Sequence, residues 1–103
     1  MPEEEEDIFE VWKEYGYKHG QKAADVNAEG IKKAKTEDEV SEMMSDITDN
    51  WVQSDWWANT VLPQAKKDAE GDEDLAQEIL DTFDEAAYEG FMDRAEEINP
   101  EIE

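Results

Sequence analysis

The chain has 103 residues, no cysteine, and a formal net charge of -22 from 31 Asp or Glu against 9 Lys or Arg. That length and a 38% apolar content fit one small domain with a modest core, and the absence of cysteine excludes disulfides and thiolate metal sites. Nucleic acid and anionic membranes would repel such a chain, which makes a basic protein the expected partner. No apolar run reaches the length of a signal-peptide core or a membrane span, so a soluble, cytoplasmic protein is predicted.

The opening MPEEEED, residues 1–7, is a run of like charges and is expected to fray, leaving a single all-helical domain over residues 8–103. Ile8, Val11, Trp12 and Tyr15 recur at helical spacing and predict a first helix. Gly16, Gly20 and Gly30 then predict a broken helix or loop through KHGQKAADVNAEGIKKAK, a segment carrying five of the eight lysines, from Lys18 to Lys35. Adaptation to high salt also yields acidic proteins, but it predicts few lysines and evenly spread acids rather than this graded pattern.

Thr36 and Glu39 match the capping box, so a second helix is predicted to start near Thr36. Val40, Met43, Met44, Ile47 and Trp51 form its apolar stripe, and at about 100° per residue Ala58, Val61, Leu62 and Ala65 stay in phase with it. Trp56 and Trp57 do not, and fall instead among Asp38, Glu39, Glu42, Asp46 and Asp49. Two readings follow. Ser54 caps a new helix, which resets the phase and turns both rings into the monomer core; or the helix runs on and the rings meet a second copy of the chain. Pro63 is placed to open a short helix ending near Gly71.

The last helix is the clearest. Leu75, Ile79, Leu80, Phe83, Ala86, Ala87, Gly90, Phe91 and Ile98 fill one half of the wheel, and Asp74, Glu78, Asp81, Asp84, Glu85, Glu89, Asp93 and Glu96 the other; Asn99-Pro100 ends it. No strand alternation occurs. The fold class is all-α, a small elongated helical domain of about four helices with an acidic face.

Catalytic chemistry finds no foothold. His19 stands alone, no Gly-rich turn cradles a phosphate, and the run Asp68, Glu70, Asp72, Asp74 fails the calcium-loop pattern because Glu73 stands where glycine is required. No enzyme activity, metal or cofactor is expected. What remains is the acidic face. Asp74 to Glu96 spans roughly 33 Å at helical rise, and the second helix adds a row through Asp38, Glu39, Glu42, Asp46 and Asp49. Two rows of carboxylates at such density offer a basic protein the same attraction as duplex phosphates, which points to DNA mimicry.

Certain letters carry a resemblance. Asp49-Asn50-Trp51-Val52, the pair Trp56-Trp57 followed by Ala58, the start Thr36-Glu37-Asp38, and the acid-rich Asp93 to Ile98 resemble the Ocr antirestriction proteins of bacteriophages. The resemblance implies an elongated helical homodimer that mimics B-DNA and blocks the DNA groove of type I restriction–modification enzymes in the host cytoplasm. It maps the dimer contact to Val61 and Ala65 with Leu62 adjacent, and the open reading of the tryptophans adds Trp56 and Trp57. The chain departs from that family in lacking a long glutamate-rich tail and in its lysine cluster. An acidic adaptor or chaperone-like module, binding a basic protein without imitating DNA, is the alternative.

Overall fold

The computed structural model describes residues 3–102, with side chains from Ile8 to Ile102. The described residues are helical and contain no strand: α1 Glu3–Val26, α2 Ala28–Lys33, α3 Glu37–Gln53, α4 Leu62–Asp68 preceded by a π-helical segment Trp57–Val61, and α5 Glu73–Ile98. Of the acidic run expected to fray, Met1 and Pro2 lie outside the described residues, and Glu3 to Asp7 belong to α1.

The break expected through residues 18–35 does occur, at Asn27 between α1 and α2 and again after Lys33, but not at Gly16 or Gly20, because α1 is continuous to Val26. These glycines serve packing. A Cβ at Gly16 would lie 2.5 Å from the Phe83 carbonyl oxygen, one at Gly20 2.0 Å from that of Ala87, and one at Gly90 2.2 Å from that of Tyr17. Gly16 against Phe83 and Gly20 against Ala87 make α1 and α5 parallel, pressed backbone to backbone where the facing residues are small, as small residues four apart allow. α3 runs antiparallel to α5: its start meets Met92 and Asp93, and Trp51 near its end packs on Phe83.

Capping follows the sequence closely. Thr36 Oγ1 accepts the Glu39 N–H, and Glu39 Oε2 accepts the Lys35 N–H, one residue upstream of the usual capping-box partner. Asp72 Oδ1 accepts from Asp74 and Leu75 at the start of α5. At the other end, Asn99 Nδ2 donates to the carbonyls of Ile31 and Ala34, so the residue that ends α5 also satisfies the end of α2. α4 closes in a Schellman turn: Glu70 takes the left-handed conformation at φ +54, its N–H bonds to the Lys67 carbonyl and that of Gly71 to the Lys66 carbonyl, and Gly71 follows at φ +87, which glycine allows at least cost.

The core has two lobes. Ile31, Val40, Met44, Ala87 and Phe91 fill one; Trp12, Trp57, Val61, Ile79 and Phe83 fill the other, with Trp51 packed against both. Val11, placed on the predicted apolar face of α1, is instead 62% exposed. The whole is a slab whose Cα extents are 45 × 29 × 18 Å. Its radius of gyration of 14.8 Å exceeds the roughly 13 Å of a compact chain this long. The long dimension follows from α1 and α5, 24 and 26 residues long and side by side, which at helical rise span about 36–39 Å.

Candidate functional site: an acidic helical face

Around α5, α1 covers one flank through Ala86 and Gly90, and α3 the other, where the Tyr88 hydroxyl lies 3.4 Å from Ser41 Oγ. Between these flanks Asp74, Glu78, Asp81, Glu85, Glu89, Asp93 and Glu96 are exposed. They recur every three or four residues, or one carboxylate per helical turn of about 5.4 Å. On α3, Asp38, Glu39, Glu42, Asp46 and Asp49 are likewise exposed. Antiparallel neighbouring helices therefore carry the two rows, that of α3 on the side opposite its buried stripe of Val40 and Met44.

Asp84 departs from the row. It lies about 100° around the helix from Glu85, on the flank shared with Tyr88, and is only half-exposed. Its Oδ1 has no hydrogen-bond partner. Burial, reinforced by the charge of Asp81, pushes its carboxyl from 3.8 up to about 6. A carboxyl whose folded pKa is raised costs no stability while protonated, below about pH 4, and an increasing amount as the pH climbs to about 6. Asp84→Asn is therefore expected to stabilise the fold by about 1–2 kcal/mol at pH 7, after discounting for solvent screening. It should add little at pH 4. Urea unfolding at both values checks this; an equal gain at both would assign the effect to packing instead.

The structure adds members that the sequence reading passed over. Glu14 lines a cleft of about 410 Å³ between α1 and α5 with Lys13, Tyr17, Thr82, Glu85 and Glu89. Tyr17 donates its hydroxyl to Asp93 at 2.7 Å. The signal was present in the exposed Glu10 and Glu14, four residues apart on the first helix, but only the packing of α1 against α5 sets Glu14 beside the α5 row. Lys18 pairs with Glu14 at 3.0 Å on the exposed surface, a contact worth well under about 1 kcal/mol. Arg94 bridges Asp25 and Glu97, both at 2.6 Å. Among the described residues no three His, Asp or Glu side chains are placed to hold a metal ion. No helix there is long and apolar enough to cross a membrane.

The residues expected at a dimer contact are placed differently. Ser54 ends α3, donates its hydroxyl to the Trp51 carbonyl and accepts the Trp57 N–H, so the phase is reset there. Trp57 is 5% exposed, Val61 1% and Ala65 0%, all inside the single chain. An interface through these three is thereby corrected: they are core residues, and only Trp56 and Leu62 stay half-exposed. The π-helical turn makes the phase reset compatible with Pro63. The Leu62 N–H bonds to the Trp57 carbonyl five residues back, and the widened turn relieves the clash a proline makes with the carbonyl four residues before it.

Comparison with protein-family models, with curated proteins and with solved structures finds no match to this chain.

Proposed function

We propose that the protein is a DNA mimic, a decoy that occupies the DNA-binding groove of a basic protein, of the antirestriction kind its sequence resembles. The observation that carries this reading is charge per length. A duplex 45 Å long carries about 26 phosphate charges, one per roughly 1.7 Å; the chain carries -22 along a 45 Å axis. Twelve of the thirteen carboxylates assigned to phosphate positions are exposed on rigid helices, which fixes their spacing before binding. A single copy already reaches the charge density required, so the reading does not rest on a dimer.

The partner gains what it gains from DNA: Coulomb attraction and displacement of bound counterions. No catalysis and no cofactor are needed. A type I restriction–modification enzyme is the first target to test. With labelled duplex bound to that enzyme at low salt, added protein should release the duplex completely, as read by fluorescence anisotropy. Protein that binds the enzyme while the duplex stays in place would instead assign the chain an adaptor role.

A further inference from the structure

On the back of the slab α1 and α3 hardly meet, and a groove of about 320 Å³ opens between them. His19, Lys22 and Val26 of α1, with Asn27 just beyond its end, line one side; Trp51 and Trp56 line the other. The two indoles meet as a corner, with ring centroids 5.9 Å apart and planes at 74°. His19 stacks on Trp56 at 5.1 Å with an interplanar angle of 14°. Its Nδ1 faces the Tyr15 carbonyl at 3.1 Å, which fixes that nitrogen as the donor and holds the ring in place.

Charge sets this groove apart. Four other clefts on the described residues are each lined by at least two carboxylates. This one is lined by none and carries the Lys22 ammonium, in a chain where 31 of 103 residues are acids. Val26, 78% exposed, leaves an apolar lip open to solvent. The volume lies at the lower end of ligand sites, at about 300 Å³, room for one or two fused rings.

We propose that this groove is a binding site for a small planar aromatic anion, with the ring system against the Trp51–Trp56 corner and the anionic group paired with Lys22. Around α1 the groove residues Lys22 and Val26 lie roughly opposite Lys13 and Tyr17, which face the acidic side, so the site is separate from the decoy surface. Occupancy leaves the carboxylate rows free, and the two readings fail independently.

The test is an NMR titration of the full chain with 2-naphthoate, following the four indole N–H signals assigned by substitution. Saturable shifts are expected at Trp51 and Trp56, with Trp12 and Trp57 unmoved and a dissociation constant below about one millimolar. 2-Naphthol, uncharged at neutral pH, should bind at least tenfold more weakly, and 2-naphthylmethylammonium should not bind. Lys22→Glu and Val26→Glu, both at exposed positions, should each weaken 2-naphthoate at least tenfold while circular dichroism stays unchanged. The proposal is overturned by the absence of saturable shifts, or by equal affinity for 2-naphthol. Undiminished binding to Lys22→Glu overturns it too, as do shifts of the Trp51 and Trp56 signals with protein concentration alone, which would make a second copy the occupant.

Discussion

Gly20→Ala is expected to destabilise the fold by about 2–4 kcal/mol, at the upper end of overpacking costs. In an exposed helix the same change would stabilise by roughly 1 kcal/mol, because alanine is the better helix former. The sign reverses here because the added Cβ would sit 2.0 Å from the Ala87 carbonyl oxygen and 2.8 Å from the Phe91 nitrogen. Both are backbone atoms of a helix that cannot yield without separating from α1 along its length. Gly30→Ala is the internal control. Its Cβ would meet only the end of the Met43 side chain, at 2.9 Å, and that methyl can swing aside. Urea unfolding of the two variants should therefore give opposite signs. A stabilised Gly20→Ala would mean that α1 and α5 are not in backbone contact.

The second large effect is expected from neutralising the centre of the α5 row. Glu78→Gln, Asp81→Asn, Glu85→Gln and Glu89→Gln together should weaken binding to the partner's DNA groove by at least tenfold and flatten its salt dependence. Each lost phosphate equivalent removes about 0.9 from the slope of log affinity against log salt, so four should remove roughly 3–4. Each single change should cost only a few-fold, because the charge is delocalised and no one carboxylate is a hot spot. The four side chains are exposed, and removing like charges relieves self-repulsion, so the quadruple variant should unfold no more easily than the parent. Asp84 does not belong in this set: half-buried on the α3 flank, it acts on stability rather than on binding. Loss of all binding from one substitution would indicate a specific pocket in place of an extended face.

What the sequence disclosed, and what it concealed, follows from the range of the interactions. Caps are local, so Thr36 and Asn99 could be read directly, Ser54 stood as one of two readings, and the long amphipathic pattern of α5 needed no partner to be recognised. The glycines of α1 were misread because their role is set by residues more than sixty positions away in α5. Without knowledge of that contact, glycine at Gly16 and Gly20 carries only its low helix propensity. The tryptophan pair was open for a similar reason. A cap at Ser54 turns the phase, but only the π-helical turn ahead of Pro63 shows how Trp57 and Val61 both reach the core. The carboxylate rows were legible as rows. That Asp84 is turned aside, and that Glu14 joins the face from α1, depends on how the helices pack and could not be read from one wheel.

The central claim is that these carboxylates bind where phosphates bind. It is tested most directly by measuring, on one type I restriction enzyme across a salt series, the affinity of this protein and of duplex DNA in competition. The account predicts mutually exclusive binding and two log–log lines that fall steeply and nearly in parallel. Affinity that barely changes with salt, or that survives saturating duplex, would contradict it.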